Sequence, residues 1–252
     1  MIDMDLTFSI LKHTSSLGDL LIMPVDKDCA KRIIVSNHYS HKWNDAGFGV
    51  FNFGIFKAEN TDECLGVAVY GYMKNPRAKI FSHPNPDAWV CELNRLWIDD
   101  RLGKNAETIL IASSIKLLRK LDKNIVAIQS FADGRLGCGT IYKAANFKYY
   151  GYHYTLFLRN KRTGEVSHRQ NFDNTTCLSI YLRSNIGYLL GDYEVMRVRT
   201  YRYVYSLDRH FSFLKREISY PEYQKGFDII EWNRDKRRIK ENIVRLLNKL
   251  PV

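Results

Sequence analysis

Cysteine is sparse and scattered. Cys29, Cys64, Cys91, Cys138 and Cys177 stand singly, with no C-x-x-C pair and no Cys/His group at zinc spacing. An odd set of isolated thiols excludes a disulfide framework and a zinc finger, and it suits a reducing compartment. No run of about 18 apolar residues is present, so no membrane-spanning helix is expected. The N-terminal MIDMDLTFS has neither Lys nor Arg nor the apolar core of a secretion signal. No period of about 20–50 residues recurs, and the six prolines and fifteen glycines gather into no linker, which disfavours solenoids and strings of small domains. GxSxG, HExxH, Walker and paired-carboxylate signatures are all missing. Acidic residues are the remaining shortage: 27 Asp and Glu face 38 Lys and Arg, a formal net charge of +11. An excess of that size favours polyanionic partners, with nucleic acid ahead of an anionic cofactor or a membrane surface.

What the chain does contain is enough to bury a core. Its 252 residues are 45% hydrophobic and 13% aromatic, with 16 Tyr and 13 Phe, which excludes disorder as the main state. Leu20–Val25 suits a strand, and Asp26 or Asp28 can cap a helix whose Ala30, Ile33 and Ile34 share one face. FGVFNFGIF (48–56) and CLGVAVYGY (64–72) read as an antiparallel hairpin. After a loop marked by Pro76, Pro84 and Pro86 come a strand, WVCELNRLWID, and an amphipathic helix over 105–121 with Ile109, Leu110, Ala112, Ile115, Leu118 and Leu121 as its stripe. Strand 125–132, a Gly-rich turn, a short helix in TIYKAANF, an aromatic strand YYGYHYTLFLRN, a helix over 178–190, a strand over 195–207 and a basic amphipathic helix over 228–249 complete the chain. The order predicts an α+β or α/β fold.

Several positions carry both a structural and a functional reading. Gly103, Lys104, Asn105 and Ala106 bring consecutive amides to the positive end of a helix, where phosphates can bind, but an ordinary helix start with Asn105 as cap explains them equally well. Arg95 is either a solvated strand residue or a guanidinium holding a carboxylate, phosphate or carbonyl. Asp133 ends an apolar strand before a turn with three glycines, a place where α/β sheets open onto ligands, and a turn-capping Asp is the rival. Tyr142 can donate a proton, stack or simply pack. His38 and Tyr39, with His41, form the densest ionisable and aromatic group, at a helix end where His also serves the dipole.

The positive charge is clustered. Residues 232–249 hold seven cations, including Arg234, Lys236, Arg237 and Arg238, against two carboxylates. Arg197, Arg199 and Arg202 alternate with Tyr201, Tyr203 and Tyr205, a pattern that suits phosphate contact with base stacking and also a sheet wet on one face. NKRTGEVSHR forms a third patch.

Taken together, NHYSH, the hairpin, ELNRLWIDDRLGKNAETILIASSIK, SFADGRLGCGTIYKAANFKYYGYHYTLFLRN and RTYRYVYSLDR resemble the phage Mom family of DNA adenine-modification proteins over about residues 20–208. The resemblance implies a Gcn5-related N-acetyltransferase (GNAT)-like mixed sheet flanked by helices over 1–208, with 209–252 as a basic helical extension. It implies an enzyme that places a methylcarbamoyl-type group on adenine N6 of double-stranded phage DNA, in the host cytoplasm, and shields that DNA from restriction. Arg95, Asp133, Tyr142, His38 and Tyr39 would be its active-site residues, and 103–106 would cradle acetyl-CoA or a related acyl donor. Iron also belongs to some accounts of the family, and His38 and His41 are the only local candidates for it. Adenine N6 is a poor nucleophile enclosed in the duplex, so base flipping is expected. Two other readings remain: a conventional acyl-CoA N-acyltransferase acting on a protein, small amine or aminoacyl-tRNA, and a non-catalytic DNA-binding counter-restriction protein.

Overall fold

The computed structural model describes residues 10–76, 78–174, 177–222 and 226–249; the N-terminal nonapeptide read above lies outside them. In chain order the elements are β1 (Leu11–Ser15), β2 (Gly18–Pro24), α1 (Lys27–Asn37), β3 (Phe51–Lys57), β4 (Gly66–Tyr72), β5 (Phe81–Ser82), β6 (Trp89–Ile98), a 3-10 turn Asp100–Leu102, α2 (Ala106–Leu121), β7 (Ile125–Asp133), α3 (Thr140–Ala144), β8 (Lys148–Asn160), β9 (Val166–His168), α4 (Gln170–Asp173), α5 (Leu178–Leu189), β10 (Tyr193–Ser206), β11 (Ser212–Phe213), β12 (Phe227–Ile230) and α6 (Lys236–Leu247). The result is an α+β fold, a mixed sheet flanked by helices. Two compact units share the chain. The first holds residues up to 131, 139–151 and 202–220; the second holds 132–138, 152–201 and 221–252. Residues 209–252 are thus divided between the two.

In the first unit β1 to β4 and β6 form an antiparallel run, and β6 then pairs with β7 in parallel. β4 is almost wholly buried because helices cover both of its faces, which is why GVAVYGY reads as a continuous apolar run. Val67 and Val69 pack with Ala30 and Ile34 of α1. Tyr70, of opposite parity, reaches α2 instead, where its hydroxyl meets Ser114 Oγ at 2.7 Å. The α1 start follows the sequence closely: Asp26 accepts from the Cys29 amide at 2.6 Å. The α2 stripe is rotated from the expected one. Ala112 is exposed, while Ile111, Ser113, Ser114 and Leu117 are buried, since two small serines let the helix sit close and Ser114 has Tyr70 to bond.

In the second unit β8 pairs with β9 across the charged turn, and β10 pairs with β12. The expected helix over 228–249 starts late. FDII forms β12 on β10, and Asp235 caps α6 by accepting from the Arg238 amide at 3.1 Å. A β-branched pair in an extended segment wins here because it finds a strand edge to complete. α6 buries Ile239, Ile243 and Leu246 against Tyr181 of α5 and leaves its basic face in solvent.

One backbone approach fixes the site described next. A Cβ on Gly71 would lie 2.0 Å from the Gly47 carbonyl oxygen and 2.7 Å from Asn94 Oδ1. Gly47 lies in a turn whose carbonyl accepts the Tyr72 amide at 2.9 Å, and Asn94 is fixed in β6, so Gly71→Ala should destabilise the protein by about 3 kcal/mol or more, or stop it folding. Chemical denaturation measures this, and an unchanged midpoint would refute the tight approach.

Candidate active site

The pairing of β6 with β7 runs from Trp89↔Ile125 to Glu92↔Gln129 and ends there. On its other side, β6 is out of step with β4: Leu93 pairs with Tyr70 and Arg95 with Val69, so Asn94 is an extra residue. An irregularity of this kind bends a strand and re-aims its side chains. The first unit therefore has a polar opening just where its two central strands lose their mutual hydrogen bonds.

Glu92 is the centre of that opening. Its carboxylate accepts from Gln129 Nε2 at 2.8 Å and from Asn94 Nδ2 at 3.1 Å. Burial pushes its pKa above the usual carboxylate range, and the two amides, Arg95 and Arg202 oppose that rise. Arg95 donates from Nη1 to the Asn94 carbonyl at 2.7 Å, lies 4.6 Å over the Phe48 ring, and keeps a buried Nε with no partner. Burial lowers its pKa, while Tyr39, Glu92 and Tyr142 favour its charge. Tyr142 is buried and stacked on Tyr203 at 5.2 Å. Ser130 Oγ lies 2.9 Å from both the Leu93 carbonyl and the Tyr142 hydroxyl. With its single proton on the carbonyl, Ser130 accepts from Tyr142. Burial raises the phenol pKa, so Tyr142 enters any reaction as an acid.

His38 follows α1 as its C-cap, and its ring lies 4.2 Å from that of Tyr39. Tyr39 is half exposed, whereas His38 is buried. Nδ1 of His38 accepts the Ser40 amide at 3.1 Å, so in the neutral ring Nε2 carries the hydrogen. Burial, with the positive charges of Arg95 and His41 nearby, lowers the His38 pKa to about 4. Arg95, Tyr142, His38 and Tyr39 thus share one polar neighbourhood within the first unit. Glu92, Asn94 and Gln129 complete it. They escaped sequence reading because a strand Glu and two amides look like ordinary surface residues until tertiary contacts bury them.

Beside this cluster, a cleft of about 500 Å³ is lined by Asp99, Gly103, Lys104, Asn105, Thr108, Thr140 and Ile141, among others. Gly103 (φ 74°) and Asn105 (φ 72°) both take left-handed conformations. Asn105 makes no side-chain capping bond, contrary to the ordinary helix start, so the first amides of α2 keep no side-chain cap. Ala106 is fully buried and shapes the loop from beneath. The uncapped amides and Lys104 suit a pyrophosphate; Asp100 and Glu107 oppose it, and Asp99 is neutralised by Arg101. Ile141 and Ala144 of α3 line the cleft while Tyr142 of the same helix joins the Glu92 cluster.

Asp133 belongs to the second unit, where Arg135 takes its carboxylate through an ion pair and through the Arg135 amide at 3.0 Å. Arg135 is itself 4.1 Å over the Phe157 ring. Among the described residues no group of three or more His, Cys, Asp or Glu could hold a metal ion. His38 Nδ1 accepts the Ser40 amide at 3.1 Å, and His41 Nδ1 meets the Val35 carbonyl at 2.9 Å. No helix among the described residues is long and apolar enough to cross a membrane.

The basic candidates divide by environment. Arg234 is enclosed: it donates to Asn185 Oδ1 at 2.6 Å and the Phe172 carbonyl at 2.9 Å, and it lies 4.7 Å over Trp232. Arg202 is half-buried between the rings of Phe131 and Phe213. Arg237 pairs with Glu241 on the α6 surface, and Lys236 and Arg238 are exposed. Arg197 pairs with Asp228 at 3.2 Å and sits over Tyr154; Arg199 sits over Tyr152.

Two measurements check these assignments. Between about pH 4 and the ordinary imidazole value of about 6.5 the unfolded chain binds a proton at His38 that the folded chain refuses. Stability therefore rises with pH through that window, by up to about 3 kcal/mol, and His38→Gln should flatten the rise. Unfolding followed at several pH values tests this, and an unaltered slope would remove the buried neutral imidazole. Arg234→Ala should cost about 2–3 kcal/mol in urea unfolding because it strands the Asn185 and Phe172 acceptors, whereas Arg238→Ala should stay within about 0.5 kcal/mol of the parent.

The sequence profile of the Mom protein family matches residues 19–224. Methylcarbamoylase mom of Escherichia phage Mu is 28% identical over 186 residues, covering 71% of this chain and 72% of that protein. Among solved structures, an acetyltransferase of the GNAT family from Streptococcus pneumoniae is similar at a TM-score of 0.40 and 11% identity, over 75% of this chain and 99% of that one. Arabidopsis thaliana NAA60 in complex with acetyl-CoA is similar at a TM-score of 0.43 and 9% identity, again over 75% and 99%. With the profile spanning most of the sequence, from β2 to beyond β11, the chain belongs to the Mom protein family.

Proposed function

We propose that this chain is a DNA-modifying transferase that adds a methylcarbamoyl-type group to adenine N6 in phage DNA and so guards it from restriction in the host cytoplasm. Family membership and the phage Mu methylcarbamoylase support the reaction class. The observation that carries the reading is the gathering of Glu92, Tyr142, His38 and Tyr39 around the guanidinium of Arg95, at the end of the β6–β7 pairing.

The roles follow from the chemistry of each group. Glu92 Oε, its pKa raised by burial, accepts the proton that an exocyclic amine must lose as it gains a carbonyl group. Arg95 has one unpartnered Nε–H and a guanidinium over the Phe48 ring, suited to orienting a carbonyl oxygen. Tyr142 Oη holds a proton for a leaving group and is aligned by Ser130. His38, neutral at physiological pH, offers Nε2–H without adding charge, and Tyr39 presents a half-exposed ring on which a flipped adenine can stack. In this reading Asp133 acts at one remove: its ion pair with Arg135 holds the turn after β7. The residues around the 103–106 loop fit an acyl-CoA type of donor, with Lys104 and the first amides of α2 holding its phosphates; when bound, the donor would supply an activated carbonyl, and the nitrogen of a methylcarbamoyl-type group would come from a second, nitrogen-bearing reactant.

The test is nucleoside mass spectrometry on plasmid DNA from cells expressing the protein. A new deoxyadenosine-derived mass is expected. Glu92→Gln and Arg95→Ala should lower its yield at least about a hundredfold, and Tyr142→Phe about tenfold or more, with soluble folded protein in each case. Unmodified DNA from cells holding soluble parent protein and an acyl-CoA pool would move the assignment to an acyltransferase with another amine substrate or to a passive DNA binder.

A further inference from the structure

The second unit carries a feature that the reaction above leaves unused. Tyr152 and Tyr154 stand two residues apart on β8, hence on one face of the strand, and are 48% and 47% exposed. Their rings meet edge to face at 5.3 Å, and Tyr152 also contacts the buried Tyr201 of β10 at 6.0 Å. Alternate positions of β10 supply a guanidinium to each exposed ring. Arg197 lies 4.8 Å over Tyr154, and Arg199 lies 5.6 Å over Tyr152. Arg199 is steadied by Tyr154 and Tyr201, and Arg197 by Asp228 of β12. Two large neighbouring rings left half in water form an apolar patch that folding itself does not require. Their partners are cations over π-faces, which bring positive charge for phosphates beside the rings.

We propose that this face of β8 and β10 is a stacking platform for unpaired DNA bases. The proposal rests on the reading that DNA is the partner, and it names the form in which the second unit engages it: as single strand. In a duplex the bases stack on one another and show a protein only their edges, which exposed tyrosine rings do not read. An unpaired base exposes its full π-face, and its phosphate falls within reach of Arg197 or Arg199. The chain's net charge of +11 and the exposed Lys236, Arg238 and Lys240 on α6 of the same unit favour a polyanion over a sugar, which would need the rings but not the cations. N6 chemistry also requires an adenine freed from its pair, so affinity for unpaired strand is useful to such an enzyme.

The test is fluorescence anisotropy with the full chain, using a labelled oligothymidine of about 12 nucleotides and a duplex of equal length at a single salt concentration. The single strand should bind more tightly than the duplex. The double variant Tyr152→Leu/Tyr154→Leu, which keeps apolar bulk, should lose about tenfold or more on the single strand and less than about twofold on the duplex. Tyr152→Phe/Tyr154→Phe keeps the ring faces, so it should bind the single strand as the parent does and report on folding. The platform is overturned if the Leu variant keeps parental single-strand affinity, if both DNA forms weaken equally, if the parent binds neither, or if polyglutamate competes as well as oligothymidine. Failure of the modification reaction reads out separately, as unmodified nucleosides from the parent protein, and leaves these binding outcomes intact.

Discussion

Two parallel strands that stop bonding to each other create the need that the rest of the first unit answers. Once β6 and β7 lose their ladder after Glu92 and Gln129, the backbone and side-chain groups there must find other partners or remain costly. Ser130 reaches the Leu93 carbonyl, Gln129 and Asn94 reach Glu92, and Arg95 turns onto the Asn94 carbonyl. The extra residue at Asn94 and the close passage of Gly71 past Gly47 keep β6 in the shape that makes those bonds. Even so, Arg95 Nε, Asn94 Oδ1 and Gln129 Oε1 remain buried without partners. Groups left in that state are a standing cost, and functional sites are where such costs are tolerated.

Charge in this cluster is shared through neutral amides. No ion pair joins Glu92 to Arg95 or Arg202, although each feels the others. A direct bidentate pair would hold Glu92 ionised and spent. Amide donors stabilise the carboxylate less, so burial keeps its pKa raised and its proton exchangeable. Asp133 shows the opposite arrangement, a carboxylate closed on one arginine and thereby fixed in a turn. The same functional group is thus kept at a raised pKa in one unit and closed into a fastener in the other.

Four of the chain's 38 Lys and Arg residues are spent inside the fold. Arg95, Arg135, Arg202 and Arg234 each lie over an aromatic ring and have little exposed charge to offer a polyanion. The guanidinium tolerates this because it is flat, weakly hydrated and always charged. Cations at the surface of α6 are among the many that remain exposed for long-range attraction. Net charge therefore gives the sign of the partner, while the environment of each arginine says which residues meet it.

The sequence by itself determined the local elements, because their causes are local. Asp26 capping α1, the apolar runs of the β3–β4 hairpin and the amphipathic run of α2 are all legible within a dozen residues, and so are the positions of Arg95, Tyr142 and the His38–Tyr39 pair as candidates. Where a local rule met a distant partner, it gave way: Ser114 turned inward to Tyr70, 44 residues off, and residues 228–230 left the expected helix for the edge of β10. Tertiary structure alone decided the partners. Glu92 finds Gln129 across 37 residues, and Arg234 finds Asn185 across 49 and the Phe172 carbonyl across 62. The worth of a charged group depends on its burial and on what its donors touch, and both are fixed only when remote segments pack.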